Sequence, residues 1–219
     1  MGLRELKKEQ TRQLIADTAQ RLFAERGFDR VTVAEIAREA QVAEATVFNY
    51  FPAKEDLFYG RLEALGARLV DAVAVRPAGE PALAAFRLAL LAQDGGLLTQ
   101  AELGDPDALT RLRTVNRVIA GSPALLAREQ QAFNRTADAL AALLAAETGT
   151  PAGLGPQVAA SAMLGLHRAL IEHVRRRVME EDEPRGLAAE VRKLADAAFA
   201  LLEHGLGDYA AKPSGPAAS

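Results

Sequence analysis

Apolar residues recur three and four positions apart along almost the whole chain, as they do on one face of an α-helix. The first apolar stripe of this kind comprises Leu14, Ile15, Ala19, Leu22 and Phe23. Gly27 follows it and has the backbone freedom that a helix C-terminus often needs. No run of alternating β-branched residues lies between turn signals, so no strand is indicated. The pattern predicts an all-α protein of about nine helices.

A short helix is predicted directly after this turn. Thr32 opens it, and Glu35 three residues later completes a capping box, in which the hydroxyl accepts from a helical amide and the carboxylate reaches back. The helix is expected to end near Ala40. Its apolar residues and those of the next helix are expected to share one small core.

The helix that follows completes the outline of a helix-turn-helix. It is expected to run from Ala43 or Glu44 to Phe51, because Pro52 disfavours helical geometry in the preceding residue. The residues that can close the shared core are Val33, Ile36, Ala37, Val42, Val47 and Phe51. The outward face is drawn from Glu44, Ala45, Thr46, Phe48, Asn49 and Tyr50. A short helix with such a face can enter the major groove of DNA.

The remaining helices are separated by proline and glycine. A fourth helix is expected from near Ala53 to the interrupted stretch 76–81. Ser122 before Pro123 suits the N-terminus of a later helix, and Gly149 suits its end. The downstream helices are expected at about 82–98, 106–120, 123–148, 157–181 and 185–205. The last residues, 207–219, are small and proline-rich, and a disordered tail is expected there.

Charge limits how the chain could bind a nucleic acid. The net charge is −3, and residues 1–59 carry nine Lys or Arg against ten Asp or Glu. Any DNA binding must therefore depend on the local placement of cations. Arg4, Lys7, Lys8 and Arg12 form a candidate DNA-contacting arm, with an ordinary solvated tail as the alternative.

Enzymatic and metal-dependent functions find no support in the sequence. The absence of cysteine excludes disulfides, thiolate metal sites and cysteine nucleophiles. His167, His173 and His204 show no ligand spacing, and no phosphate-binding loop or nucleophile elbow occurs. No stretch has the composition of a signal peptide or a membrane span. We expect a cytoplasmic protein that is not an enzyme and uses no metal or cofactor.

The N-terminal quarter of the chain resembles the DNA-binding domain of the TetR/AcrR family nearly position by position. The matching pattern is Arg12-x-x-Ile15, Leu22-Phe23-x-x-x-Gly27-Phe28 and Val31-Thr32-Val33-x-x-Ile36-Ala37-x-x-Ala40-x-Val42-Ala43-x-x-Thr46-Val47-Phe48-Asn49-Tyr50-Phe51-x-x-Lys54-x-x-Leu57. Beyond about residue 58, the chain is compatible with the family only in length and helical pattern. The resemblance implies a DNA-binding domain at 1–53, with the helix-turn-helix at about 32–51, and a helical ligand-binding and dimerisation domain at 54–206.

The resemblance implies DNA-backbone contacts for four residues and a helix-capping role for a fifth. Thr32 would cap the second helix, and the amide of Val33 would point at a DNA phosphate, as suits a helix N-terminus. Thr46, Tyr50 and Lys54 fall on positions that usually bind the DNA backbone in the family.

Other positions of the third helix are implied to read bases. Glu44, Ala45 and Asn49 lie where the family varies; Asn can pair with an adenine edge, and Glu can accept from a cytosine amine. Phe48 replaces a common tyrosine, which removes one phosphate hydrogen bond but leaves a ring that can pack against sugar. Ala43 replaces a common serine and so removes a helix cap.

A homodimer is expected, because two copies on a two-fold axis would read the half-sites of a palindromic operator in successive grooves. The resemblance places the interface on the last two helices, which are apolar on more than one face. The apolar residues concerned are Val158, Ala162, Leu166, Ala169, Leu170, Val174, Leu187, Val191, Leu194, Ala198, Leu201 and Leu202. Burial of these residues within one chain is the alternative.

The middle helices are expected to enclose an effector pocket, for which residues on mixed polar and apolar faces are candidates. These candidates are Arg87, Asn116, Gln130, Phe133 and His167. The mostly apolar lining favours a small hydrophobic or amphipathic effector. The resulting hypothesis is a repressor that an effector releases from double-stranded DNA by moving helix four. The alternatives are an activator and a helical small-molecule-binding module without effector-released repression.

Overall fold

The computed structural model describes residues 3–92, 106–149, 153–180 and 186–205. Within these ranges the regular secondary structure is entirely helical, which confirms the predicted all-α class. The helices are α1 (Leu3–Arg26), α2 (Val33–Glu39), α3 (Glu44–Tyr50), α4 (Asp56–Ala74), α5 (Ala82–Leu90), α6 (Pro106–Ala120), α7 (Pro123–Thr148), α8 (Leu154–Glu180) and α9 (Leu187–His204). The tail predicted at 207–219 lies outside the described residues. The helix predicted at 82–98 is shorter than expected, because α5 ends at Leu90 with Leu91 as its C-cap.

Local sequence signals place the helix ends as predicted. Gly27 has φ +84° and donates its amide to the carbonyl of Phe23 at 2.9 Å, which ends α1. Ser122 caps α7 by accepting from the amide of Leu125, and Pro123 is the first helical residue. Gly149, with φ +64°, ends the same helix.

Two boundaries near the N-terminus also differ from the predictions. α4 begins at Asp56 rather than near Ala53, because residues 53–58 make successive i to i+3 hydrogen bonds that form turns before the α-helix starts. The predicted N-terminal arm is helical, since α1 is continuous from Leu3.

The described residues form two apolar cores. The N-terminal core joins α1, α2 and α3 to the start of α4, and it contains the six residues predicted to share a core, with Val33 and Val42 only half-buried. Ile119 and Leu125, from the end of α6 and the start of α7, are buried in the same core. The predicted stripe of α1 is narrower than expected, because Leu14 is 51% exposed.

The second core lies between α4, α5, α7, α8 and α9. α4 takes part in both cores and packs closely on α7, where a Cβ built on Gly66 would lie 2.4 Å from Thr136 Oγ1. At the far end of α4, Arg76 forms an ion pair with Glu147 of α7 at 2.6 Å. These contacts hold α4 and α7 side by side along much of their length.

Candidate nucleic-acid interface

The turn between α2 and α3 is tight and is held by backbone hydrogen bonds. The amide of Val42 donates to the carbonyl of Ala37 at 2.9 Å, and Gln41 has φ +56°. A non-glycine residue with such a φ value is uncommon. Val47 and Phe51 are buried in the N-terminal core, so the inner side of α3 is fixed against α1 and α2.

The N-terminus of α2 carries the predicted capping box. Glu35 donates its amide to Thr32 Oγ1 at 3.2 Å, and its carboxylate accepts from the amide of Thr32 at 2.8 Å. Both hydrogen bonds from Thr32, one from its backbone amide and one from its side chain, lower the pKa of Glu35, and the bond from the backbone amide has the larger effect. Val33 is the first residue of α2, so its amide has no acceptor within the helix. The capping prediction is confirmed, whereas the phosphate contacts stay predictions.

The outer side of α3 combines polar and aromatic side chains. Glu44, Ala45 and Asn49 are exposed, and Phe48 is 45% exposed. These four residues therefore present a common surface at which the edges of base pairs could be contacted. As predicted, Ala43 supplies no side-chain cap to α3.

Thr46 and Tyr50 lie at the edge of this surface and are half-buried. Tyr50 packs against the N-terminal core, which holds its ring in place beside the exposed face. Each side chain could therefore reach a DNA backbone only from a position that the core largely fixes.

Lys54 has surroundings that the sequence did not indicate. Its Nζ lies 4.2 Å from the ring centroid of Phe28 and 5.9 Å from that of Phe23. Its pKa is lowered chiefly by desolvation, as expected for a half-buried amine. The ammonium is therefore held on aromatic faces close to the end of α3.

Ion pairs neutralise part of the acidic charge of the N-terminal unit. Arg21 binds Glu25 at 3.2 Å and Glu39 at 2.9 Å. Both hydrogen bonds raise the pKa of Arg21, and the bond to Glu25 has the larger effect. Arg12 lies over the ring of Phe51, with 5.4 Å between its Cζ and the ring centroid. The acids of this unit are therefore not all available to repel a phosphate backbone.

Two of the five predicted effector residues lie together in the interior. His167 is 1% exposed and packs edge-to-face on Phe133, with ring centroids 5.3 Å apart. Neither of its ring nitrogens has a hydrogen-bond partner among the described residues, and burial lowers its pKa to about 4. His167 is therefore a neutral donor and acceptor with both groups unused.

A second set of polar residues begins at Glu129, one turn before Phe133 on α7. Glu129 pairs with Arg175 of α8 at 2.7 Å, and Arg175 donates to the side-chain oxygen of buried Asn116 at 3.1 Å. The Tyr59 hydroxyl of α4, whose pKa is raised by burial and then by the charge of Glu129, is buried without a partner within the described residues. The sequence did not single out Tyr59, because it occupies an apolar position of α4.

The other two predicted effector residues lie on the surface. Arg87 pairs with Asp196 at 2.7 Å between α5 and α9, and exposed Gln130 donates to Asn134 at 2.8 Å. The structure does not bring them together with His167. A groove of about 710 Å³ lies between the start of α4 and the outer face of α7, and none of the five predicted residues lines it.

The apolar residues predicted for the dimer interface differ in how deeply they are buried within the protomer. Leu166, Leu170, Val174, Leu187 and Val191 are buried within the protomer, in agreement with the alternative of intrachain burial. Val158, Ala169 and Leu194 are exposed, and Ala162, Ala198, Leu201 and Leu202 are half-buried.

The described ranges contain neither a metal-binding cluster nor a membrane-spanning helix. No group of three or more His, Cys, Asp or Glu residues could hold a metal ion. None of these helices combines the length and apolar character that spanning a bilayer would need.

Two family profiles match the chain. Residues 15–59 match the family described as bacterial regulatory proteins, tetR family. Residues 81–207, more than half of the chain, match the MftR C-terminal domain. The two matches lie on the helix-turn-helix unit and on the helical part that follows it.

The chain is also similar to individual transcriptional regulators and to a solved structure. The chain is 31% identical to the HTH-type transcriptional regulator TcmR of Streptomyces glaucescens, and the match covers 68% of this chain. It covers 65% of TcmR, which is less than two thirds of that protein's length. The chain is 29% identical to the mycofactocin biosynthesis regulator MftR of Mycobacterium tuberculosis, over 73% of this chain and 77% of that one. The solved SmeT–triclosan complex shares the fold, with a TM-score of 0.54 and 22% identity over 87% of this chain and 90% of SmeT. The chain belongs to the TetR family of bacterial transcriptional regulators.

Proposed function

We propose that the protein is a repressor that binds a palindromic operator as a homodimer and leaves it when a small-molecule effector binds. The observation that carries the proposal is the exposed face of α3. Glu44, Ala45 and Asn49 point outward from a helix whose other side is anchored by Val47 and Phe51. A rigid, short helix with such a face is suited to the major groove.

The surrounding residues would position α3 on the DNA backbone. The amides at the N-terminus of α2, beginning with Val33, suit a phosphate because the helix dipole favours negative charge there. Thr46, Tyr50 and Lys54 would supply further backbone contacts, and Phe48 could pack against a sugar. These contacts would fix the register, whereas Glu44 and Asn49 would select bases.

The proposed dimer uses the outward faces of α8 and α9. Their exposed apolar and small residues are Leu154, Val158, Gly165, Ala169, Leu194 and Ala197. The α8 positions lie opposite the side chains that this helix buries in its own protomer, whereas Leu194 lies beside the buried stripe of α9. A second copy would remove this apolar surface from water and would place two α3 helices on one side of the assembly.

The proposed effector site is the interior around His167 and Phe133. Asn116 is linked through Arg175 to Glu129, which lies one turn before Phe133 on α7. Buried polar groups in proteins nearly always have partners, so the unpartnered nitrogens of His167 favour a ligand that hydrogen-bonds to them. The rest of the core is apolar, which suits a hydrophobic or amphipathic molecule. Arg87 and Gln130, on the surface, do not form part of this proposal.

The test is selection of bound duplexes from a random DNA pool by the purified protein. We expect a palindromic site. Asn49→Ala should change the preferred base at one position in each half-site, whereas the control Asn134→Ala, an exposed asparagine on α7, should not. Failure of the wild-type protein to enrich any palindrome at low salt would contradict the proposal.

A further inference from the structure

The carboxylate of Asp56 joins the segment that follows α3 to α7. Its Oδ2 accepts from the amide of Ala53, two residues after the C-cap of α3, at 2.9 Å. Its Oδ1 accepts from Arg128 Nε of α7 at 2.8 Å and from Arg128 Nη2. One side chain therefore links the polypeptide that leaves α3 to the long helix of the C-terminal part.

The guanidinium of Arg128 also binds a second acid of α4. Its Nη2 donates to Glu63 Oε1 at 2.6 Å, so the same group holds the first and the third turn of α4. The side chains of Arg128 and Asp56 are each only 12% exposed. Because the pair is largely sheltered from water and the guanidinium is planar and rigid, the relative orientation of α4 and α7 is tightly defined.

Two further contacts connect the start of α7 to the N-terminal unit formed by α1, α2 and α3. One turn earlier, Leu125 is buried in the N-terminal core. At the N-cap, buried Ser122 donates its hydroxyl to Asp29, in the loop between α1 and α2, at 3.1 Å. Residues 122 and 125 thus contact the N-terminal unit, and Arg128 contacts the start of α4. Of the acids that Ser122 and Arg128 bind, Asp56 lies closest in sequence to α3.

We infer that Arg128 is a positioning residue for DNA binding, which, through Asp56, fixes the angle of α3 relative to the helical body and hence the distance between the two α3 helices of a dimer. The inference rests on the proposed function, since it concerns a protein that reads two half-sites. Half-sites on one face of DNA lie about 34 Å apart, so a small rotation of α3 changes which spacing fits. Loss of the Arg128 contact should affect the spacing rather than the bases that are read.

The first test uses the selected operator with its half-sites moved one base pair closer or one or two base pairs further apart, and a duplex with a single half-site. Wild-type protein should bind the selected spacing at least about tenfold more tightly than the altered ones. Arg128→Gln should reduce that preference to about threefold or less and leave the affinity for the single half-site unchanged. Arg135→Gln is the matched control, because exposed Arg135 also pairs with Glu63 of α4 but does not reach Asp56.

Arg128→Lys carries the test if Arg128→Gln does not fold. It retains a charge inside the network, but a single ammonium cannot hold Asp56 and Glu63 in the geometry of the planar guanidinium. Unchanged spacing preference in a folded Arg128 variant would overturn the inference while the proposed function stood. If the wild-type protein selected no palindrome, the proposed function and the inference would both fall.

A distance measurement separates positioning from a general loss of stability. The chain contains no cysteine, so Ala34→Cys on the exposed side of α2 provides a single spin-label position in each protomer. The distance distribution between the two labels of a free dimer should be narrow with Arg128 and broad or shifted with Lys or Gln at that position. Identical distributions would overturn the inference.

Discussion

The imidazole of His167 meets the ring of Phe133 edge-to-face inside the protein, yet both of its nitrogens lack hydrogen-bond partners among the described residues. Edge-to-face packing stabilises the pair, whereas burial of an unpaired polar group opposes folding. The arrangement is unfavourable for a proton on the ring, and burial lowers the pKa of His167 to about 4. Its protonation is consequently linked to the stability of the fold.

We expect stability to fall as the solution is acidified. An unfolded chain binds a proton at His167 near pH 6.5, but the folded protein does not until about pH 4. The free energy of unfolding therefore does not depend on His167 protonation above about pH 6.5. Between pH 6.5 and pH 4 it falls progressively, by up to about 3 kcal/mol. His167→Met should remove this part of the pH dependence in urea unfolding curves. His204→Gln, at an exposed histidine, is the control, and equal curves for wild type and His167→Met would disprove the assignment.

Gly66 should not tolerate a methyl group while Thr136 is present. A Cβ at residue 66 would lie 2.4 Å from Thr136 Oγ1, so Gly66→Ala should lower the free energy of unfolding by about 1–3 kcal/mol. Adding Thr136→Ala should reverse the loss, because alanine favours a helix by about 1 kcal/mol over glycine. A double-mutant cycle measured by denaturant unfolding checks this, and additive effects would contradict the close contact.

The capping box of α2 should contribute to the stability of the fold. Thr32→Ala removes the hydroxyl that accepts from Glu35 and should cost about 1 kcal/mol in the free energy of unfolding. Thr32→Ser keeps the hydroxyl and should be close to wild type. Chemical unfolding of both variants provides the measurement. A loss of the same size in the serine variant would show that the methyl group, not the cap, is responsible.

Lys54 should contribute to DNA affinity without selecting sequence. Lys54→Met keeps an aliphatic chain over Phe28 but removes the charge. Binding should weaken by a similar factor on all sequences, and the slope of log affinity against log salt should become shallower by about 1. Lys54→Arg should retain the slope. An unchanged slope in Lys54→Met would mean that the ammonium stays on the aromatic rings when DNA is bound.

Ala169 provides a test of the proposed dimer. The residue is exposed in the protomer, so Ala169→Glu should leave the unfolding temperature of the isolated subunit nearly unchanged. A charge buried between two copies of α8 should nevertheless favour the monomer in analytical ultracentrifugation. Ala142→Glu, at an exposed position on α7, should remain dimeric. A dimeric Ala169→Glu would show that the interface lies elsewhere.

The features that the sequence revealed depend on neighbouring residues. The Thr32–Glu35 box and the stop at Gly149 are formed by side chains and backbone within one turn, so their chemistry is visible in short segments. The helix-turn-helix could be predicted for the same reason. Gln41 is an exception, because glutamine gives no indication of its positive φ in the turn.

The features that the sequence did not reveal join distant parts of the chain. Asp56 and Arg128 are 72 residues apart, and nothing in the periodicity pairs them. The stacking of Lys54 on Phe28 and the placement of Gln130 on the surface depend on how helices are rotated against one another. Such rotations are set by packing of the whole fold, which short segments do not encode.

The burial of Ile119 and Leu125 among the residues of α1–α3 bears on how this protein could be re-engineered. A fragment ending at residue 53 would expose the apolar surface that these two side chains cover and would be prone to aggregate. A chimaera that joins α1–α3 to the C-terminal part of another regulator would expose the same apolar surface unless residues 119–128 were transferred as well. The exchangeable unit is thus discontinuous in sequence, and the start of α7 belongs with α1–α3 rather than with the rest of the C-terminal helices.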